Sequence, residues 1–415
     1  MLDKLTFGLC LALCCLFACG GDESVAAASP DESPRAVTDC TELPPGSRLP
    51  RFGTGDGRLL LSYVVSDSSG SRLYAREFAG SGWGTEREVA QGDNWFVNWA
   101  DFPSVKPTGD SLFYHYLAYS GQGTYDYDIR FGTGNTERGT LHTDGVAAEH
   151  GFVSSAHLPE GGLQITWLDG RNTKSADGAA STTAHDHHGG GGAMTLRTAT
   201  LTADGTVTDR TELDDRVCDC CNTATVVTAD RTLVVYRDRT EEEIRDIGFV
   251  SRQHGGEWSS PGRVHADDWE VTGCPVNGPA LAANEAGAIA VAWYTAGDGN
   301  PRIQFARYDT TGEAFGEPVV LEDRDPLGRV DIKLGPDGTA YVLGVCTTDD
   351  PNRADIRLWT IPQVGEVSSQ RIAAMPGTRS SGFPRLSLFA GQLRVAWTDT
   401  AGESSVVHVC SVDQG

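Results

Sequence analysis

The chain has 415 residues, with 57 acidic against 33 basic side chains and a formal net charge of −24. Nucleic-acid binding needs a basic face, so this composition excludes nucleic acid as an expected partner. Beyond the first twenty residues no segment shows sustained helical periodicity. Short β-rich runs alternate with Gly, Asp, Asn and Pro turns instead, which indicates an all-β protein.

The N-terminus has the pattern of an export signal. Residues 5–17 form an apolar run that is too short to span a bilayer as a helix. The run leads into Leu-Phe-Ala-Cys, which resembles a lipoprotein lipobox with Cys19 as the acylated residue. We therefore expect a lipoprotein signal peptide over residues 1–19 and a flexible tether over residues 20–46. The protein would be exported to the outer membrane or cell surface and held there by its N-terminal lipid only; an ordinary cleaved signal is the alternative.

Residues 47–415 contain an internal repeat. Apolar runs, most of them ending in an aromatic residue, recur every 50 to 70 residues or so, and each fits the second strand of a four-stranded unit. These runs are residues 59–63, 112–116, 163–167, 233–236, 289–293, 340–343 and 393–397. The pattern predicts a single monomeric β-propeller with seven four-stranded blades; six blades is the alternative. The predicted blades begin near Ser47, Asp101, His150, Cys218, Cys274, Arg329 and Ser381.

The last repeat lacks an obvious fourth strand. Residues 37–43 are expected to supply it, and a disulfide between Cys40 and Cys410 would lock the closed ring.

The unusual residues of the repeats fall on one predicted face. In a propeller, the loop before each innermost strand and the loop between the second and third strands open on the same side. Those loops carry the aromatic, charged and thiol-rich segments, whereas the hairpins assigned to the other side are short Gly- and Asp-containing turns. We therefore expect function on the loop-rich face.

Two short motifs carry a family resemblance. Residues 255–259, Gly-Gly-Glu-Trp-Ser, match the tail of an Asp-box, and Arg48-Leu49-Pro50 is similar to the motif that opens sialidase catalytic domains. With the repeat pattern, they make residues 47–412 resemble sialidase-like (BNR or Asp-box) β-propellers. The thiol-rich segments also resemble those of extracellular bacterial lipoproteins described as sialidase-like.

The resemblance implies a glycoside hydrolase of the exo-α-sialidase type. Such an enzyme uses a Tyr nucleophile activated by Glu, an Asp acid, and arginines that bind a carboxylate. Tyr236, with Tyr125 as the alternative, Glu243 and Asp101 are the candidates for the catalytic roles. The candidates for substrate binding are Arg48, Arg171, Arg237, Arg245, Arg385 and Trp269. Structural ion pairs among the charged residues from 237 to 245 are the alternative interpretation.

A thiol cluster is the feature that this resemblance does not explain. Three cysteines lie within four residues, a fourth follows in the next repeat, and a His-rich loop opens on the same predicted face. Thiolate and imidazole ligands together favour copper or zinc. The candidate metal ligands are Cys218, Cys220, Cys221, Cys274, His185, His187 and His188. Disulfides or a redox-active pair remain alternatives.

These observations lead to three functional hypotheses. The first is a propeller that binds or hydrolyses a carbohydrate, sialylated or otherwise acidic, on its loop-rich face. The second is a copper- or zinc-binding propeller. The third is a non-catalytic binding scaffold that presents the aromatic residues Trp95, Trp99 and Trp269.

Overall fold

The computed structural model describes residues 37–174 and 192–413. In this part of the chain, seven antiparallel sheets are arranged in a ring as the blades of a β-propeller. The predicted all-β class, the seven blades and their four-stranded plan are therefore confirmed. Over the described ranges, no helix is long and apolar enough to cross a membrane.

The first four blades take their strands in chain order from the axis outward. Their strands are β2 (Ser47–Gly55), β3 (Arg58–Asp67), β4 (Gly70–Glu77) and β5 (Arg87–Gly92); β6 (Ser104–Thr108), β7 (Ser111–Tyr119), β8 (Tyr127–Thr133) and β9 (Thr136–Thr140); β10 (His150–His157), β11 (Leu163–Asp169), β12 (Thr195–Leu201) and β13 (Val207–Asp214); and β14 (Ala224–Val227), β15 (Arg231–Arg237), β16 (Ile247–Gln253) and β17 (Gly262–Arg263).

Blades five to seven follow the same plan. In blade five, β20 pairs with β19 on one side and with the short strands β21 and β22 on the other. Their strands are β18 (Ala280–Ala283), β19 (Ile289–Thr295), β20 (Arg302–Asp309), β21 (Ala314–Phe315) and β22 (Val319–Glu322); β23 (Pro326–Leu334), β24 (Ala340–Thr347), β25 (Arg353–Ile361) and β26 (Ser368–Pro376); and β27 (Arg385–Phe389), β28 (Gln392–Asp399) and β29 (Val406–Val412). Three single-turn 3₁₀ helices span Arg171–Thr173, Gly297–Gly299 and Arg379–Ser381.

The ring closes by joining the two ends of the described chain. Strand β1 (Val37–Glu42) pairs antiparallel with β29 and forms the outer strand of blade seven. A disulfide between Cys40 and Cys410 links these two strands. Both features were predicted. The folded ring thus includes residues 37–42, within the segment that the sequence suggested as a tether.

The second strand of each blade forms the core. Every residue of β11 and β15 is buried, as expected for apolar runs that are covered on both faces. Side chains of adjacent blades pack together, for example Ile165 of blade three with Phe131 of blade two. Because each sheet buries its faces against its neighbours, the repeat spacing in the sequence was a reliable sign of this fold.

Backbone irregularities in the innermost strands shape the axis of the ring. The pairing register shifts in β2, β10 and β23, where Leu49, Phe152 and Arg329 have positive φ angles. Such bulges leave backbone N–H groups without a strand partner. Each of these N–H groups donates instead to a side chain of the preceding blade; the pairs are Leu49 with Thr398, Phe152 with Asp101, and Arg329 with Asn277.

Candidate functional site

Two adjoining cavities lie on the predicted functional face and along the axis. The loop cavity is lined by loop residues that include Phe96, Trp99 and Tyr125. The axial cavity is lined by the innermost strands of all seven blades. Ala100, Asp101 and Phe152 line both. The loops that the repeat register assigned to one face therefore do converge on one concave site.

A tyrosine and two carboxyl groups form a compact cluster where the cavities meet. The Tyr127 hydroxyl lies 2.9 Å from Glu149 Oε1 and 3.3 Å from Asp101 Oδ2. The Tyr127 ring stacks on Phe96 with centroids 4.2 Å apart, which fixes the direction of the hydroxyl. Asp101 also accepts the Phe152 N–H at 2.8 Å. The carboxyl group approaches Gly151 so closely that a Cβ atom at that position would collide with it.

Burial changes the acidity of this cluster. It raises the pKa of Asp101 to about 7, although the Phe152 N–H, the Tyr127 hydroxyl and the charge of Arg51 favour the ionised form. Burial likewise raises the pKa of Glu149 well above its usual range, and the nearby charges of Asp219 and Asp101 add to this effect. Near neutral pH the cluster therefore holds at least one carboxylic proton, and the two carboxyl groups differ in their readiness to release it.

Two arginines bring positive charge to the axial cavity. The guanidinium carbons of Arg51 and Arg385 both lie 4.9 Å from the Phe102 ring centroid. Within the described residues, neither guanidinium donates a hydrogen bond, and the Arg385 Nε is buried without a partner. Burial and the charge of Arg385 together lower the pKa of Arg51 to about 9, although the charges of Asp331 and Asp101 oppose this change. Asp331 is the carboxylate that stabilises the charge of both arginines, and two cations beside one anion favour the arrival of a second anion.

The structure does not assemble the predicted Tyr236–Glu243 pair. Tyr236 is fully buried, and its hydroxyl donates to Asp214 Oδ2 at 2.5 Å, away from both cavities. Glu243 instead accepts from Arg239 and Arg245, each at 2.7 Å. Of the three predicted catalytic residues, only Asp101 lines the site.

Most of the predicted substrate-binding residues are engaged elsewhere. Arg48 donates to Ser66, and Arg171 pairs with Asp169 and Asp144. Arg237 is buried and donates to three backbone carbonyls, those of Asn277, Arg245 and Tyr294, while its guanidinium lies over the ring of the buried Trp269. Arg385 alone of this set lines a cavity. The alternative interpretation, structural ion pairs among residues 237 to 245, therefore fits blade four, because its arginines hold the loops of the blade in place.

The thiols do converge, as the sequence suggested. The Cys218 Sγ lies 2.9 Å from Cys221 Sγ and 3.9 Å from Cys220 Sγ, separations too long for a disulfide. Cys220 and Cys274 both line the loop cavity. Burial opposes ionisation of Cys218, yet hydrogen bonds from Cys220 and Cys221 and the charge of Arg245 hold its pKa well below its usual range. The predicted ligands His185, His187 and His188, like Cys19, lie outside the described residues.

Known proteins resemble this chain in structure rather than in sequence. No family model matches the sequence, and no curated protein matches it. Among solved structures, the polysaccharide lyase Uly1 is 10% identical over 94% of each chain, with a TM-score of 0.53. The Hadza microbial sialidase Hz136 is 15% identical over 84% of this chain and 74% of its own, with a TM-score of 0.46. The chain has a seven-bladed β-propeller fold. At these identities the likeness shows the fold alone.

Sequence reasoning on this propeller missed Tyr127 and Glu149. Both lie at loop–strand junctions on the functional face: Tyr127 begins β8, and Glu149 immediately precedes β10. Glu149 holds nearly the same position before its innermost strand as Asp101 holds before β6. This shared position before an innermost strand was the sequence signal that could have identified Glu149 as a site residue. Arg51 was also missed, because a β-bulge in β2 sets its direction.

Proposed function

We propose that this propeller binds an acidic carbohydrate on its loop-rich face and cleaves it by acid–base chemistry. The observation that carries the proposal is the Tyr127 hydroxyl placed within 3.3 Å of two carboxyl groups of raised pKa, at the junction of two cavities. General acid–base catalysis requires one group that accepts a proton and one that donates it. A carboxyl pair with different environments supplies both.

The roles follow from burial and acidity. Glu149 is the more exposed carboxyl group, and burial raises its pKa well above its usual range, so it holds a proton that it donates to the leaving oxygen. Asp101 is 3% exposed and in its ionised form accepts the Tyr127 proton. In hydrolysis the tyrosine oxygen bonds to the anomeric carbon as the glycosidic bond breaks, and water then releases the sugar from the tyrosine. In elimination the tyrosine oxygen instead removes a C–H proton of the sugar as the bond to the leaving oxygen breaks. Tyrosine nucleophiles are an exception among glycosidases that sialidases illustrate.

The axial arginines favour a ligand with a carboxylate. Arg51 and Arg385 offer guanidinium donors that nothing in the described chain uses, and Lys106 and Lys333 line the same cavity. Asp101 and Asp331 are the acidic residues there, so the lining has an excess of positive charge in a chain whose net charge is −24. A guanidinium pairs bidentately with a carboxylate, which suits sialylated or uronate-containing glycans.

The test is a cleavage and binding assay on sialylated and uronate-containing glycans. Tyr127→Phe and Glu149→Gln should each lower the cleavage rate roughly 10²- to 10⁴-fold. Tyr125→Phe is the matched control, because it removes a hydroxyl from the same cavity but leaves the Tyr127 cluster intact. Product masses separate hydrolysis, which adds water, from elimination, which does not.

Three results would decide among the hypotheses. Cleavage that depends on Tyr127 and Glu149 supports the proposal. Binding without cleavage would favour the scaffold hypothesis. An acidic glycan that is neither bound nor cleaved would reject an acidic-carbohydrate function.

The thiol cluster supports a second candidate function, a soft-metal site. The sulfur atoms of Cys218, Cys220 and Cys221 all lie within 4.8 Å of one another, a spacing that a zinc or copper(I) ion can bridge. Arg245 Nη1 lies 3.4 Å from Cys218 Sγ and would hold the same thiolate without a metal. Elemental analysis of protein purified from an oxidising compartment decides between these roles. Stoichiometric copper or zinc that is lost in a Cys218→Ser, Cys221→Ser variant supports the metal; its absence from the wild type rejects it.

We propose export and lipid attachment at Cys19 for the same protein. The disulfide between Cys40 and Cys410 supports an oxidising compartment, and the acidic composition suits an extracellular surface. Metabolic labelling with palmitate should modify the wild type and not Cys19→Ala. Equal labelling of both would refute attachment at this residue.

A further inference from the structure

A histidine–carboxylate cluster lies at the junction of blades two and three, outside both cavities. It is formed by Asp128 on β8, His142 and Asp144 on the loop after β9, His150 at the start of β10 and Asp169 at the end of β11. His150 and Asp169 are completely buried, and the Asp144 side chain is 6% exposed. Nothing in the proposed cleavage uses this cluster.

His150 directs one ring nitrogen at two carboxylates. Its Nδ1 lies 3.1 Å from the Ala148 carbonyl, to which it donates, so the lone pair of the neutral ring is on Nε2. That Nε2 lies 3.4 Å from Asp144 Oδ1 and 3.6 Å from Asp169 Oδ1, and it is buried without a hydrogen-bond partner. A lone pair that faces two carboxylate oxygens is repulsive unless a proton or a metal ion lies between the nitrogen and the oxygens.

The neighbouring charges leave room for such a cation. Arg171 pairs with the Oδ2 atoms of Asp144 and Asp169 at 3.1 and 2.6 Å, and its Nε donates to Asp169 Oδ1 at 2.7 Å. Arg197 is more distant, 3.9 Å from Asp169, and also pairs with Glu212. Asp128 adds a third carboxylate, 3.8 Å from His150 Nδ1. Three carboxylates therefore surround this histidine, and Arg171 is the arginine that pairs closely with two of them.

The spacing of the ligand atoms fits a transition metal. Zinc bound to nitrogen and oxygen at about 2.1 Å in tetrahedral geometry separates its ligand atoms by about 3.4 Å. The three atoms from Asp144, His150 and Asp169 all lie within 4.8 Å of one another, and two of the separations are 3.4 and 3.6 Å. His142 Nδ1 donates to the outer oxygen of Asp144 at 2.8 Å, which orients that carboxylate.

We propose that Asp144, His150 and Asp169 bind a divalent transition-metal ion of the zinc class, separate from the thiol cluster. The ion would join the loop after β9 to the ends of β10 and β11. It would also fix one residue of the cavity cluster through the backbone, because Glu149 immediately precedes His150.

The test measures zinc binding by a purified variant that lacks the thiol cluster, with and without further substitutions at the proposed site. A Cys218→Ser, Cys220→Ser, Cys221→Ser variant, stripped with chelator and titrated with zinc chloride, should still bind about one zinc ion per chain. Adding His150→Gln should weaken that binding roughly 100-fold or more, and adding Asp144→Asn roughly 10- to 100-fold. Asp128→Asn is the matched control and should leave the zinc affinity unchanged.

Cobalt substitution gives a second measurement, for use if a variant does not fold. Cobalt(II) bound by the wild type should show visible bands of a nitrogen–oxygen site that survive alkylation of the accessible thiols. No zinc binding in the thiol-free background would overturn the proposal and would favour a protonated His150 that pairs with Asp144 and Asp169. Equal binding with and without His150→Gln would also overturn it, as would loss of binding with Asp128→Asn alone.

Discussion

Arg237 and Arg245 of blade four and Arg385 of the axial cavity are buried, and Arg51 is partly buried, but the two sets differ in what they contact. Arg237 donates to backbone carbonyls of its own blade and of blade five, and Arg245 pairs with Glu243 and contacts Cys218. Arg51 and Arg385 lie against Phe102 and donate no hydrogen bond within the described residues. The first set holds loops in place, and the second keeps its donors for a ligand.

This difference shows that burial alone does not mark a binding arginine. A buried guanidinium loses hydration, and hydrogen bonds within the protein normally replace it. Where they do not, the unsatisfied donors are available to bind an anion. Removing an arginine should therefore reduce stability in blade four and reduce ligand affinity at the axis.

The largest effect is expected from Arg237→Met. Four hydrogen bonds to three backbone carbonyls disappear and the carbonyls stay buried. We expect the free energy of unfolding to fall by about 3 to 5 kcal/mol. Urea denaturation followed by tryptophan fluorescence measures the change. Arg48→Met, which removes a single hydrogen bond to Ser66, is the control and should cost less than about 1 kcal/mol.

The opposite result is expected from Arg385→Met. Because this guanidinium makes no hydrogen bond in the described chain, its loss should change the free energy of unfolding by less than about 1 kcal/mol or stabilise the fold. Affinity for an acidic glycan should instead fall by about 1.5 to 3 kcal/mol, the value of a charged hydrogen bond. Calorimetric titration and denaturation of the same sample separate the two effects. A large loss of stability would place Arg385 with the blade-four arginines.

The pH dependence of stability should differ in sign between the two regions. Asp101 has its pKa raised to about 7 by burial, so its contribution is fully present below about pH 4 and is lost as pH rises through about 7. Asp101→Asn keeps an acceptor for the Phe152 N–H and should flatten this loss. Melting temperatures of wild type and variant between about pH 4 and pH 8 provide the comparison. Parallel curves would disprove the raised pKa.

The smallest effect is expected at Glu243. Burial opposes its ionisation, but hydrogen bonds from Arg239 and Arg245 hold its pKa below the usual range. Its contribution is present above the unfolded pKa of about 4.3 and is lost as pH falls through the lower folded value. Because the carboxylate is partly solvated, Glu243→Gln should cost less than about 1 kcal/mol at neutral pH. The difference in the free energy of unfolding between variant and wild type should shrink as the pH falls. A difference that stays constant with pH would contradict the lowered pKa of Glu243.

The thiol segment shows how far sequence reasoning reached at the site. Of the four cysteines that the repeat register assigned to one face, Cys220 and Cys274 line the loop cavity, whereas Cys218 and Cys221 are buried beside Cys220. Tyr236, which was a candidate because the register assigned the end of its strand to the loop-rich face, does not reach either cavity. That strand directs the side chain between blades, toward Asp214, and the sequence period alone does not distinguish this direction from the cavity.

The amino-acid sequence by itself determined the seven blades, the closure of the last blade by residues 37–42 and the face that carries the unusual residues. Those features depend on strand periodicity and turn positions, which are local. Only the tertiary structure decided which polar side chains meet. Tyr127 and Asp101 belong to blade two and the loop before it, whereas Glu149 leads into blade three, so their contact exists only once neighbouring blades pack. The same packing leaves Arg51 and Arg385 with free donors at the axis and aims His150 at two carboxylates.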